Sequence, residues 1–365
     1  MERKDFNAPK LGEMPCVAFP LQLGKLTDNG ATPWYTTVGL GTPAQELKFM
    51  VDSGTDNTWI TSSKCTTDAC MAHQRFYSDA SSTYQSVEPT PTIKDFGPWG
   101  KMTVEIGEDI FTIEHCIEGY RTQIPTNERM NFEVSIDYQG SQFQELACDG
   151  GIAIPSPYWK GDERTEALML QLKKDGKIAY AIASFWSDVS QGAGECLFGG
   201  IDFSKFDPET LQLLSLQDDS SSPLNYLWCI DLKAFLVNGT PVEAGITTFV
   251  LDTGSSFFKG PETLINTLVN SVTDNGRLPT YVSSEKELYN YPVIALAIGS
   301  AIYTLTPQQY FLKLNDEYWE LGIQVLDGMP EGMLLVGSLF LDTVYAIFDY
   351  ELGAIGLAIP RQKGS

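Results

Sequence analysis

The stretch FMVDSGTD at residues 49–56 returns two hundred residues later as FVLDTGSS at 249–256. Each copy runs Phe, two apolar residues, Asp, a hydroxyl residue, Gly and a second hydroxyl residue. An apolar run that enters a Gly-containing turn reads as a strand delivering its last residue to a loop. Two such turns with one lead-in predict two copies of a β-rich unit, each supplying one aspartate, Asp52 and Asp252. Later in each half comes a second apolar element, CDGGIAIP at 148–155 and LLVGSLF at 334–340. The pattern predicts a pseudo-dyad with the two carboxylates meeting between lobes.

Two carboxylates at hydrogen-bond distance cannot both ionise cheaply, so they share one proton and their titrations separate. The ionised member can take a proton from water while the protonated one polarises an amide carbonyl, which hydrolyses a peptide bond without metal or cofactor. Gly54 with Thr55, and Gly254 with Ser255, are placed to aim N–H groups and hydroxyls at the two carboxylates. Plain Asp-Gly turn chemistry would explain one such loop, but not the repeat with its flanks.

Between these landmarks the chain reads as mostly β. Residues 34–62 alternate β-formers with turn signals, and Asn238-Gly239 suits a two-residue type I′ hairpin turn. GLGTPA at 39–44 imitates part of a dinucleotide fingerprint, but Pro43 and the following strand pattern remove the helix a pyrophosphate needs. Helical spacing is confined to short stretches, 165–176 and 260–272, the latter with Pro261 near its start. VAFPLQLG at 17–24 reads as a strand. The change of repeat near 194–206 divides the chain into an N-terminal lobe, 1–193, and a C-terminal lobe, 194–365.

The net charge of −23 repels nucleic acid and anionic membranes. No apolar stretch approaches the eighteen or so residues that span a bilayer. The start, MERKDFNAPKLGEMPC, lacks the apolar core of a signal peptide, so the cytoplasm is the expected location, or the periplasm or exterior if a leader has been trimmed. Of seven cysteines only Cys65 and Cys70 are close in sequence. Scattered small apolar thiols in a reducing compartment are the first reading of them. A zinc site from Cys65, Cys70 and His73 lacks a clear fourth ligand, and no metal is expected.

Along most of its length the chain resembles the pepsin-like aspartic endopeptidases. YTTVGLGTPAQELKFMVDSGTDNTW, CTTDACMAHQRFYSDASSTY, LFGGID, FVLDTGSSFFKGP and VGSLFLDTVYAIFDYELGAIGLA are each similar to family segments, in the family's order. The resemblance implies a bilobal fold with two pseudo-symmetric β-lobes on a six-stranded interlobe sheet. It also implies a cleft for an extended peptide or protein substrate and inhibition by statine-type peptides. A chain already holding both halves is expected to act as a monomer. The catalytic pair falls at Asp52 and Asp252. Ser53 and Thr253 fall where interlocking hydroxyls brace the loops, and Thr55 and Ser255 where outer hydroxyls bond the carboxylates. Trp59 matches the tryptophan behind the flap, Cys65 and Cys70 a short disulfide loop, and Ser256 the substrate-binding wall.

The departures carry information. Phe96 stands in the flap-tyrosine slot, with Gly97, Pro98 and Trp99 at a hairpin tip, which keeps an apolar cover but loses a phenol hydrogen bond towards Trp59. Bulky apolar residues are therefore expected around the cut, at an acid pH optimum. Ala153 replaces an expected glycine that the second half retains as Gly337. Residues 1–33 do not resemble the usual inhibitory prosegment, which is similar to the bacterial pepsin homologues, the shewasins. A pepsin fold that only binds a protein or sugar is the rival reading, although both D-[ST]-G motifs are whole.

Overall fold

The computed structural model describes residues 14–96, 100–161, 165–218, 221–314 and 318–361. Strand outweighs helix, 44% against 14%, as the β-former runs and scarce helical spacing predict. The two longest helices, Leu168–Lys174 and Glu262–Val272, fall inside the stretches with helical spacing. Pro261 caps the second one in extended geometry just before its first turn. Asn238 and Gly239, with φ of 47° and 79°, turn the hairpin between Ala234–Val237 and Thr240–Pro241. Those two positive φ values are what a type I′ turn requires.

The duplication is visible in strand pairing. In the first half, Gln45–Asp52 runs parallel to Gly150–Ala153, with Val51 opposite Ile152 and Asp52 opposite Ala153. Gly150–Ala153 in turn pairs antiparallel with Trp59–Thr61. In the second half, Thr248–Leu251 runs parallel to Met333–Val336, which pairs antiparallel with Phe258–Gly260. The later apolar element of each half is thus the strand lying between the two arms of the acidic loop. Each arm after the loop also has an outer parallel neighbour, Met130–Tyr138 in one half and Ile323–Val325 in the other.

The largest sheet holds fifteen strands. One end of it runs Gln212–Ser215, Ala354–Ala358, Tyr345–Asp349, Ile182–Asp188, Ala193–Phe198 and Cys16–Leu23, drawing strands from the start, middle and end of the chain. From there the path enters the first half and reaches Gln45–Asp52. The main apolar core is continuous through both halves, from Phe49 and Phe132 to Phe249 and Phe340. Polar ties cross it: Trp228 Nε1–H donates to the Ile154 carbonyl at 2.7 Å, and Trp34 Nε1–H to Asp342 Oδ1 at 3.0 Å.

Ala153 and Gly337 show where the two halves differ. Ala153 is fully buried, and its N–H donates to the Thr58 hydroxyl at 3.2 Å. At Gly337 a β-carbon would lie 2.0 Å from the Ser255 carbonyl oxygen and 2.1 Å from its carbon. Those are backbone atoms of the second acidic loop and cannot swing aside. Gly337→Ala is expected to cost roughly 3 kcal/mol of stability, at the upper end of overpacking costs. Denaturant unfolding measures it, and wild-type stability in that variant would contradict the packing described.

Candidate active site

Asp52 ends the strand Gln45–Asp52, and Asp252 follows the strand Thr248–Leu251, so both carboxyls emerge where a buried strand turns into a loop. Each loop folds back on its own aspartate: Gly54 N–H donates to Asp52 Oδ1 at 2.7 Å, and Gly254 N–H to Asp252 Oδ1 at 2.8 Å. The loops are also tied to each other, with near two-fold symmetry. Ser53 N–H donates to Thr253 Oγ1 at 2.9 Å, and Thr253 N–H to Ser53 Oγ at 3.0 Å. The Ser53 hydroxyl then donates to the Leu251 carbonyl at 3.0 Å and the Thr253 hydroxyl to the Val51 carbonyl at 2.6 Å. Every polar group of this brace is buried and satisfied, which makes it rigid.

The glycines set the approach of the carboxyls. A β-carbon on Gly54 would lie 2.5 Å from Asp252 Oδ1, and one on Gly254 would overlap Asp52 Oδ1. Each loop therefore presents a bare Cα to the opposite aspartate, which brings the two carboxyls close enough for each to feel the other's charge. Burial, then the charge of Asp252, holds Asp52 well above the usual carboxylate range. Burial raises Asp252 as well, opposed by the Lys259 ammonium. Such a pair holds one shared proton across a wide acid range.

The outer hydroxyls behave differently from expectation. Ser255 Oγ donates to the Gly30 carbonyl at 3.3 Å and not to Asp252. Thr55 lines the cleft, and among the described residues its hydroxyl makes no bond to Asp52. Ser256, expected on the substrate wall, is fully buried and donates to the Ala31 carbonyl at 2.7 Å. Its task is to hold residues 30–32 under the second loop, because it points away from the cleft.

Above the carboxyls lies a cleft of about 480 Å³. Asp52, Gly54, Thr55, Asp252, Gly254 and Ser255 form its floor, and Trp59, Phe96, Phe143, Leu224, Tyr226 and Met329 supply apolar walls. Trp59 is 4% exposed and packs edge-on against Tyr138, with centroids 6.4 Å apart. Phe96 N–H donates to the Gly100 carbonyl at 2.9 Å across the tip of the hairpin Gln85–Asp95 and Lys101–Asp109. Its ring meets Phe143 edge-on at 5.9 Å and joins the cluster holding Trp59 and Met102. Gly97 and Trp99 lie outside the described residues.

Sequence reading missed a charged network at the base of this hairpin. Lys94 Nζ lies 2.9 Å from Glu133 Oε1 and 3.7 Å from Asp56 Oδ2. Asn57 Nδ2 donates to the same Glu133 oxygen at 3.1 Å, and the Thr165 hydroxyl to Asn57 Oδ1 at 2.6 Å. Burial pushes Glu133 up to about 7 despite Lys94. In NFEVS, alternation puts Glu133 on the polar side with Asn131 and Ser135, and because this strand is covered on both faces the sequence carried no signal of its burial. Beneath the loops, burial likewise raises Asp342 to about 6, although Ser187 and Trp34 both donate to it.

Cys65 and Cys70 are joined in a disulfide with Cα atoms 5.9 Å apart, so neither thiolate is left for a zinc ion. His73 Nε2 lies 2.7 Å from the Phe143 carbonyl, and His115 Nε2 3.1 Å from that of Lys177. Both are ordinary structural histidines. Among the described residues no helix is long and apolar enough to cross a membrane.

Comparison with known proteins agrees with this geometry. The sequence model described as "Eukaryotic aspartyl protease" matches residues 33–359. Gastricsin of Cavia porcellus is 26% identical over 89% of this chain and 79% of its own length. Cathepsin E-B of Xenopus laevis is 28% identical over the same shares. Pepsin A of Suncus murinus is 28% identical over 89% of this chain and 80% of its own. These relatives carry the family without singling out the bacterial homologues. They also overturn the cytoplasmic expectation, since gastricsin, pepsin A and cathepsin E are secreted or lysosomal proteins. The Cys65–Cys70 bridge fits that correction, because such bonds persist in oxidising compartments. With nine-tenths of its length matched by the family and both acidic loops intact, the chain belongs to the eukaryotic aspartyl protease family and is an aspartic-type endopeptidase.

Proposed function

We propose that Asp52 and Asp252 are the catalytic pair and that they act through one shared proton. The observation that carries this is their placement, each carboxyl set against the other loop's glycine across the Ser53–Thr253 brace. A water held between them loses a proton to the ionised carboxylate as its oxygen attacks the peptide carbon. The protonated carboxyl donates to the carbonyl oxygen as charge develops there. Collapse of the tetrahedral intermediate sends a proton to the departing amine and restores the singly protonated pair. Ser53, Gly54, Thr253 and Gly254 hold the two groups in place, so little reorganisation is needed at the moment of reaction.

The long cleft with apolar walls supports an extended peptide as substrate, with bulky apolar side chains on both sides of the cut. A statine-type peptide, which carries a tetrahedral hydroxyl, suits the space between the carboxyls as a transition-state mimic. The lobes 1–193 and 194–365 divide this work, one aspartate each, and the six-strand run from Gln212–Ser215 to Cys16–Leu23 is read as the platform beneath them. A single chain that brings both loops together works as a monomer.

Asp52→Asn and Asp252→Asn are each expected to lower kcat by roughly a thousandfold or more, the range of general acid–base catalysis, with the fold preserved. Peptide hydrolysis by the purified variants checks this; near-normal turnover in either would remove the assignment.

Phe96 covers the cleft by ring packing alone. Phe96→Ala should reduce kcat/KM by about tenfold, the loss of one buried aromatic contact with substrate. Phe96→Tyr should retain activity. Steady-state kinetics on an apolar peptide decide, and unchanged efficiency in the alanine variant would displace Phe96 from the substrate wall.

Stability should follow the same acid bias. Glu133 and Asp342 are raised to about 7 and 6 in the folded chain, above their unfolded values of 4.5 and 3.8. The native state therefore binds more protons than the unfolded one between about pH 4 and 7. Their contribution is fully present below that window and is lost as pH rises through it. Tm is expected to be higher at pH 5 than at pH 7.5, and Glu133→Gln to flatten the upper part of the curve. A Tm that rises from pH 5 to 7.5 would reverse the sign.

A further inference from the structure

Lys259 is 2% exposed and sits on Phe258–Gly260, the strand that leaves the second acidic loop. Its position in the repeat is that of Trp59: FMVDSGTDNTW and FVLDTGSSFFK align residue for residue. The strand registers agree, with Trp59 opposite Gly151 and Lys259 opposite Leu335. Where the first half buries an indole behind its aspartate, the second half buries an ammonium. A buried charge is costly and is kept where it acts on something.

The ammonium is held in a prepared place. Lys259 Nζ donates to the Gly30 carbonyl at 2.7 Å. That carbonyl also accepts from Ser256 N–H at 2.9 Å and Ser255 Oγ at 3.3 Å. Thr32 N–H donates to the Gly254 carbonyl at 2.9 Å, and Ala31 bridges Ser255, so residues 30–32 are laced to the loop of Asp252. Gly30 has φ of +76°, and a β-carbon there would stand 2.7 Å from Lys259 Cε and 2.8 Å from Nζ. The ionisable groups acting on Lys259 include Asp252 and Asp52. The neighbouring strand Ile323–Val325 brings the uncharged Gln324, and Met333–Val336 only apolar side chains.

We propose that Lys259, anchored on the Gly30 carbonyl beside the Asp252 loop, is a positioning residue for the aspartate pair that biases it towards its singly ionised form. The proposal rests on the catalytic reading of Asp52 and Asp252. Burial lowers the lysine itself to about 8, so it carries its charge throughout the acid range in which the pair shares a proton. A fixed positive charge favours each ionisation of the pair, so removing it moves both limbs of the pH profile upward.

The test is the pH dependence of kcat/KM for Lys259→Met and Lys259→Arg, with Tm measured in parallel. The methionine variant is expected to shift both limbs upward by about one pH unit, the lower range for a nearby charge. It should keep or raise Tm, because a buried ammonium has been removed and Gly30 keeps two donors. The arginine variant, retaining the charge, should keep the wild-type profile. A methionine profile that superimposes on wild type overturns the proposal, whatever its Tm. If that variant does not fold, the profile is read on Lys259→Gln, and failure of both to fold makes the lysine a structural tether and also overturns it. With Asp52→Asn and Asp252→Asn inactive and the methionine profile unchanged, this inference fails while the catalytic reading stands. Activity in either asparagine variant overturns both.

Discussion

The brace between Ser53 and Thr253 is the constraint on which the rest of the structure turns. Two buried carboxyls in contact repel unless a proton lies between them, and a flexible pair of loops would relieve that repulsion by moving apart. Four hydrogen bonds, two N–H to hydroxyl and two hydroxyl to carbonyl, prevent this by consuming every polar group at the junction. Neither half can supply the brace alone, because each hydroxyl is satisfied by the opposite strand. The long-range pairing of both halves and the continuous core between them exist to bring these two loops to one point.

The two halves are alike where the carboxyls require it and unlike elsewhere. Gly54 and Gly254 each leave room for the facing aspartate, and no side chain fits at either. Two steps away the symmetry lapses. Ala153 is tolerated in the first half because its backbone meets the Thr58 hydroxyl, whereas Gly337 is pressed against the Ser255 backbone. Thr55 faces the cleft while Ser255 turns to Gly30. Trp59 lines the cleft, and its counterpart Lys259 is buried with its ammonium on the Gly30 carbonyl. Duplication supplies a matched pair, and these departures give its two members unequal surroundings.

The repeat made much of this legible from residues alone. Similar apolar lead-ins before Asp52 and Asp252 located the loops, and the two later apolar elements turned out to be the strands between their arms. The Asn238-Gly239 turn followed from local chemistry. What stayed hidden depended on partners far away in sequence. The direction of the Ser256 hydroxyl is set by Ala31, and the partners of Trp34 include Asp342. Glu133 and Lys259 each look like an exposed charge within a strand pattern, and only the packed lobes show them to be enclosed. Compartment was misread for a related reason: the first residues say little about it, whereas the family and the bridge at Cys65 say more.

Burial of acidic groups links the stability of the fold to pH. Asp52, Asp252, Glu133 and Asp342 are all raised, and in each case desolvation is the first cause. Ionised, these enclosed carboxylates are part of the chain's formal net charge of −23 at neutral pH. Protonation in the acid range lowers the cost of burying them and reduces repulsion across the molecule at the same time. The lowered lysine beside the pair works in the opposite sense, keeping one negative charge affordable at the floor of the cleft when the other carboxylates have taken up protons. Burial in this way couples stability to acidity, and the enclosed Lys259 ammonium lies against the segment laced to the loop of Asp252.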